Sequence, residues 1–122
     1  MLITAVLHEA AAEDLPSIVA LLAQAGLPTS DLVPGALRDF IVALDGGQVV
    51  GAVGLERHGE HGLLRSLVVA PSWRDQGLGR ALVEAIEARA VAAGLQSLTL
   101  LTQTAAPFFA ARQYRVIDRA QA

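Results

Sequence analysis

Arg74-Asp75-Gln76-Gly77-Leu78-Gly79 is the stretch of this sequence whose residue types and spacing lend themselves most directly to chemistry. It follows an apolar run that ends at Pro71, and it opens an amphipathic segment, so Val68 to Leu82 reads as strand, turn, helix. Backbone N–H groups in the first turn of a helix have no partner within the helix, and the helix dipole is positive there. Gly77 and Gly79 carry no side chain, so a diphosphate can approach those amides closely, and Arg74 and Arg80 add charge. The segment is not a dinucleotide-binding fingerprint, because position 82 is Leu rather than Gly, and no Gly-Lys-Ser/Thr follows as in a P-loop. Read alone, it also fits a glycine-softened junction between a strand and a helix.

A second group of residues could handle protons. Glu56 falls at the end of the third expected strand and is the leading candidate for a base, acting directly or through water. His58, Glu60 and His61 lie in the turn that follows. Each of these also reads as a solvated hairpin residue. Two His without a third ligand make a weak metal site, and with no Cys in the chain no metal is expected. His8 reads as a strand-end residue. Arg65, on the fourth strand, suits the grip of a substrate carboxylate, as on an amino acid or similar acidic small molecule. It equally suits a surface ion pair with Glu56 or Glu60.

The elements that must position these residues follow from periodicity. Ile3 to His8 reads as a first strand, and Leu15, Ile18, Val19 and Leu22 as the apolar stripe of a helix over Glu13 to Ala25 with Gly26 as its stop. Pro28 to Leu37, broken by Pro34 and Gly35, is assigned to a substrate-side loop. Phe40 to Leu44 and Val49 to Leu55 form a hairpin about Asp45-Gly46-Gly47. Glu56 to His61 is read as the next turn, and Leu63 to Ala70 as a strand. A helix from Gly77 to Ala93 closes at Gly94, followed by a strand over Leu98 to Leu101, a short helix over Ala105 to Arg112 and a strand over Tyr114 to Ile117. The order predicts a mixed sheet with helices on both faces.

Composition narrows the function classes. The 122 residues suffice for one domain, 1–122, and 53% of them are hydrophobic, enough for a sizeable core, though only 4% are aromatic. The net charge of −3 and the lack of a basic cluster argue against nucleic acid as a partner. All nine basic residues are Arg, which excludes lysine Schiff-base chemistry. The absence of Cys excludes disulfides and a cysteine nucleophile. The start of the chain lacks a basic flank, and no apolar run approaches the ~20 residues that span a bilayer, so a soluble, cytoplasmic protein without membrane partners is expected.

Arg74-x-x-Gly77-x-Gly79 after Val68-Val69-Ala70-Pro71 resembles the coenzyme A signature of the GNAT superfamily of N-acetyltransferases. The resemblance runs over essentially the whole chain, including Asp14-Leu15-Pro16 and Leu98 to Tyr114. More narrowly, GAVGLE (Gly51 to Glu56), LLRSLVV (Leu63 to Val69) and LLTQTAAPFF (Leu100 to Phe109) are similar to small acetyltransferases found beside arsenic-resistance genes. The resemblance implies an α/β (α+β) fold with a mixed, mostly antiparallel sheet flanked by helices on both faces. It implies acetyl-CoA as co-substrate, with the pantetheine arm along the backbone of Leu67 and Val69 and the pyrophosphate on Arg74, Asp75, Gln76, Gly77, Leu78, Gly79 and Arg80. Thr102 stands where many relatives have Asn facing the coenzyme arm. The strand of Leu67 to Val69 is expected to splay from that of Leu98 to Leu101, making a slot for the thioester.

The implied reaction is direct attack of a primary amine on the acetyl thioester. A backbone N–H near Val69 would stabilise the developing oxyanion. Glu56 would take the proton, since a free alkylamine with a pKa of ~10 is mostly charged at neutral pH. Three positions depart from the family. Phe109 replaces a Tyr that protonates the leaving thiolate, so solvent or Tyr114 would do so. Gln113 replaces a Gly, and the chain stops at Ala122, before the last strand of relatives, which implies truncation or a homodimer partner covering the edge. The expected function is N-acetylation of a small-molecule amine. A coenzyme A-binding module with little turnover and a protein N-acetyltransferase are the alternatives.

Overall fold

The computed structural model describes residues 5–101, apart from 28, 31 and 33, together with residues 115–117. Its elements run β1 (Val6–Glu9), α1 (Leu15–Gln24), β2 (Phe40–Asp45), β3 (Gln48–His58), β4 (His61–Val69), α2 (Leu78–Ala92), β5 (Ser97–Leu101) and β6 (Arg115–Ile117). Short 3-10 turns at Ala12–Asp14, Pro34–Asp39 and Pro71–Trp73 precede α1, β2 and the α2 turn. Among the described residues the strands form one sheet in sequence order, β1-β2-β3-β4-β5-β6. The first three pairings are antiparallel and the last two parallel. The expected α/β class with a mixed, mostly antiparallel sheet is the one observed.

The helices cover opposite faces. From α1, Ile18 and Leu22, one turn apart, are fully buried against Phe40, Val42, Ala52 and Val68. From α2, Leu78, Leu82, Val83, Ile86 and Ala90 make the apolar stripe that packs on Ala43, Val53, Leu55 and Leu64. The alternation along β2 therefore sends Phe40 and Val42 to the α1 face and Ile41 and Ala43 to the α2 face. Gly51 lets α2 lie close on β3: a Cβ there would meet Leu82 Cδ1 at 3.0 Å and the Val68 carbonyl at 3.3 Å. No helix among the described residues is long and apolar enough to cross a membrane.

The structure departs from the sequence expectation at two places that matter to the site. Glu56 to His58 and His61 belong to paired strands rather than to a six-residue turn, with His58 opposite His61. A two-residue turn suffices because Gly59 takes a left-handed φ of +64°. Pro34 and Gly35, read as breakers, sit in the first turn of the 3-10 segment that delivers Asp39 to β2. The short helix expected over residues 105–112 lies outside the described residues.

Asp39 is the buried charged residue of the described chain, and it ties four elements together. Its Oδ1 accepts from Arg57 Nη2 (2.9 Å) and Arg89 Nε (3.0 Å), while Arg89 also pairs with Glu9 (2.6 Å) and donates to the Arg38 carbonyl (3.2 Å). Burial pushes the Asp39 carboxyl up, but the two guanidiniums outweigh it and hold the group below its ordinary value of 3.8. Asp39→Asn should lower unfolding stability by about 2–3 kcal/mol at neutral pH, because it leaves two guanidiniums facing a neutral amide. The depressed native pKa also fixes the sign of the pH dependence. The carboxylate's contribution is full above 3.8 and is lost as pH falls from there through the native value. Urea unfolding of wild type and Asp39→Asn should accordingly show a stability gap at pH 7 that narrows toward pH 3.

Candidate active site

The turn Arg74 to Gly79 is held by its own side chains. Arg74 Nε donates to the Val69 carbonyl (3.1 Å) and Gln76 Nε2 to the Ser72 carbonyl (3.0 Å). Asp75 (φ +62°) and Gly77 (φ +84°) take left-handed backbone conformations, so the chain turns sharply into α2. Gly77 is the N-cap and supplies no side-chain cap, and no acidic residue lies in the first turn. Ala81 N–H bonds back to the Gly77 carbonyl (3.1 Å), so the amides of Leu78, Gly79 and Arg80 precede the first intrahelical bond. Among the described residues, an added Cβ at Gly79 would meet nothing nearer than Val69 Cγ2 at 3.8 Å. The residues therefore fit a diphosphate: uncapped amides at the positive end of a 15-residue helix, with no close neighbour to Gly79 among the described residues. Arg80 is exposed and lies 3.9 Å from Glu84.

Strand β4 carries a bulge where it passes this turn. Its register runs Val68 opposite Ala52 but Arg65 opposite Gly54, so β4 has one residue more than β3 over that interval. Ser66 has a φ of +59°, a conformation that costs a non-glycine residue roughly 1–2 kcal/mol. Toward β5, β4 pairs only from His61 to Leu64, opposite Ser97 to Leu100, and Leu101 pairs with Ile117 of β6. From Ser66 to Val69 no pairing of β4 with β5 is found among the described residues. A fork thus opens between β4 and β5 where the resemblance implies a slot.

The backbone at Val69 faces the fork. Ala70 N–H donates to the Val50 carbonyl (2.8 Å), while Val69 stands opposite Gly51. In an antiparallel ladder hydrogen-bonding groups alternate sides, so the N–H and C=O of Val69 point away from β3 and into the opening. The carbonyl takes Arg74, and the N–H is directed into the fork. Leu67 lies on the same open stretch, beside the bulge.

Glu56 and Arg65 stand further along the same two strands. Gly54 faces the α1 side, since a Cβ there would overlap Cε1 and Cζ of the buried Phe40 ring. Glu56, two residues on, and Arg65, opposite Gly54, share that face. The Arg65 guanidinium is within 3.5 Å of Glu56 Oε2, and its Nε is 3.2 Å from Ser66 Oγ. Glu56 Oε1 is also 3.9 Å from His58 Nε2. His61 is drawn instead to Ser97, with Nδ1 and Oγ 2.6 Å apart. His8 lies in β1 opposite Val42. Among the described residues no cluster of three metal-ligating side chains forms.

Of the expected site residues, Leu67, Val69, Arg74, Asp75, Gln76, Gly77, Leu78, Gly79 and Arg80 converge around the fork and the head of α2. Glu56 does not adjoin them. Its level on β3 is five residues from that of Val69, about 17 Å at ~3.3 Å per residue. Thr102, Phe109, Gln113 and Tyr114 lie outside the described residues. Ser66 was not singled out by the sequence, and its type carries no signal for a left-handed bulge. Gly54 could have been noticed as a glycine inside an otherwise apolar strand.

Comparison with known proteins agrees with this geometry. Residues 36–116 match the family described as the acetyltransferase (GNAT) domain. An IAA acetyltransferase of Azospirillum brasilense is 42% identical over 65 residues, covering 52% of this chain and 42% of that protein. Rv2747 from Mycobacterium tuberculosis, solved in complex with CoA, superposes with a TM-score of 0.81 at 26% identity, covering 93% of this chain and 73% of that one. N-acetylglutamate synthase from Neisseria gonorrhoeae, solved with coenzyme A and N-acetyl-glutamate, gives a TM-score of 0.81 at 23% identity over 92% of this chain, a likeness of fold. The chain spans 42% of the curated relative and 28% of the synthase. With the family matched over residues 36–116, across the β2-to-β6 sheet and the α2 turn, the chain belongs to the GNAT acetyltransferase family.

Proposed function

We propose that residues 1–122 act as an acetyl-CoA-dependent N-acetyltransferase domain that acetylates a primary amine of a small molecule. The observation that carries this reading is the conjunction of the uncapped α2 N-terminus with the outward-facing Val69 N–H across one fork. The CoA-bound Rv2747 structure supports it by its similar fold. Bound coenzyme supplies an activated acetyl thioester. The amides of Leu78, Gly79 and Arg80 hold the diphosphate, and Leu67 and Val69 align the arm along the open flank of β4. The Val69 N–H donates to the thioester oxygen as negative charge grows there. Glu56 accepts the proton lost by the ammonium form of the acceptor, through water given its distance from Val69. The neutral nitrogen forms the C–N bond and the C–S bond breaks; the nitrogen then gives its second proton to solvent, and solvent protonates the departing thiolate. Thr102 is assigned to the coenzyme arm on the resemblance alone. A cytoplasmic setting, where acetyl-CoA and amine metabolites meet, and a homodimer belong to the same proposal, as does kinship with the arsenic-resistance group.

Calorimetric titration with acetyl-CoA tests the reading. Saturable one-to-one binding is expected, followed by release of free thiol when a panel of small amines is added. Absence of binding would overturn it, and binding without thiol release from any amine would reduce it to coenzyme binding.

A further inference from the structure

The turn between β4 and α2 contains a charge that its backbone does not call for. Asp75 has a φ of +62°, in the left-handed region that glycine enters freely and that asparagine and aspartate tolerate best among the other residues. Glycine or asparagine would satisfy that geometry without charge, so the shape of the turn does not explain the carboxylate. Helix capping does not explain it either, since the N-cap of α2 is Gly77 and no side chain caps the helix. Asp75 is exposed, and among the described residues no hydrogen bond or ion pair engages its carboxylate. The two arginines of the turn are directed elsewhere, Arg74 Nε to the Val69 carbonyl (3.1 Å) and Arg80 Nε toward Glu84 Oε1 (3.9 Å).

An uncompensated negative charge therefore stands beside the amides assigned to the diphosphate. Consecutive Cα atoms are ~3.8 Å apart, so the Cα of Asp75 lies within about 8 Å of that of Gly77 and about 11 Å of that of Leu78, whatever the path of the chain. Over such a distance a unit charge acts on a phosphoryl group through water with an energy comparable to thermal energy. Salt damps that action once the Debye length, ~8 Å at physiological ionic strength, falls below the separation. The uncapped amides and the positive end of α2 attract the same anion. The turn thus sets an attraction and a repulsion against each other at one place.

We propose that Asp75 is an electrostatic brake on coenzyme binding. Its carboxylate opposes the diphosphate, holds down the affinity for acetyl-CoA and for spent coenzyme A alike, and so speeds the exchange of one for the other. The two forms share the diphosphate and differ only at the sulfur, so the opposition weakens both equally and leaves the chemical step as it is. Turnover gains from this where release of the spent coenzyme limits it. The inference rests on the reading of this turn as the diphosphate site.

Calorimetric titration of wild type, Asp75→Asn and Asp75→Gly at low and high salt tests it. At ~20 mM salt both variants should bind acetyl-CoA and coenzyme A about 3- to 10-fold more tightly than wild type, by the same factor for the two ligands. The gain should shrink toward unity at ~0.5 M salt, where the Debye length is ~4 Å. S-acetylpantetheine, which ends before the diphosphate, should bind wild type and variants alike. Asparagine shares the tolerance of aspartate for the left-handed conformation, so agreement between the two variants separates charge from backbone strain. Unchanged or weakened coenzyme affinity in Asp75→Asn at low salt, a gain confined to Asp75→Gly, or a gain undiminished at high salt would overturn the proposal. An equal gain for S-acetylpantetheine would do the same. Failure of the wild type to bind acetyl-CoA, or acetyl-CoA affinity indifferent to Gly79→Val, would instead remove the diphosphate site on which it rests.

Discussion

Replacing Gly79 with Val should weaken acetyl-CoA binding by roughly 10- to 100-fold while leaving the protein folded, because a charge-assisted contact worth about 1.5–3 kcal/mol is blocked. The separation of the two effects is the informative part. Among the described residues a Cβ at Gly79 meets only Val69 Cγ2, at 3.8 Å, which leaves room for it, and a side chain there occupies the space over the α2 amides. Gly79→Ala should even stabilise the helix, by up to ~1 kcal/mol on propensity, while still weakening the coenzyme. Gly77 behaves differently. Its φ of +84° is a left-handed conformation that Val resists, so Gly77→Val should lose both stability and binding. Calorimetric titration beside thermal unfolding separates the cases. Unchanged acetyl-CoA affinity in Gly79→Val would place the diphosphate elsewhere.

Glu56→Gln should lower turnover by about 10²-fold or more without weakening coenzyme binding, the ordinary range for removing a general base. Glu56 stands about five residues along β3 from the Val69 level, so its action runs through water. Glutamine keeps the shape and removes the proton-accepting charge, and it also removes the ionic partner of Arg65. Both effects predict a fall in kcat rather than a change in acetyl-CoA affinity. Raising pH should partly rescue the variant, since more of the acceptor amine is then neutral in solution. A Glu56→Gln protein with wild-type kcat would exclude Glu56 as the base and leave solvent to take the proton.

The central hairpin and both helices were legible because their signals are local. Asp45-Gly46-Gly47 between two apolar runs marks a reversal, and both Gly46 (φ +58°) and Gly47 (φ +89°) take the left-handed conformations that such a turn requires. The stripe from Leu78 to Ala90 marks α2, and Gly94 (φ +79°) stops it. The turn at Glu56 to His61 was less legible. Its polar residues suggest a loop, yet cross-strand pairing carries β3 to His58 and restarts at His61, since polar side chains are tolerated at the exposed end of a hairpin.

Sequence by itself therefore determined the strand-turn-helix at Arg74 to Gly79, the order of the main strands and helices among the described residues and the faces that α1 and α2 bury. Each depends on residue types within a few positions of one another. Only the tertiary structure decided the fork and what faces it. The bulge at Ser66 exists because β3 and β4 pair in a register that leaves one β4 residue over, and register belongs to two strands at once. The Phe40 ring over Gly54 and the Arg65–Glu56 pair depend on the same register. The Asp39 network joins Arg89 to Glu9, 80 positions away, which no local pattern announces. The turn could be read along the chain, whereas the space it faces is made by strands that meet only when the sheet forms.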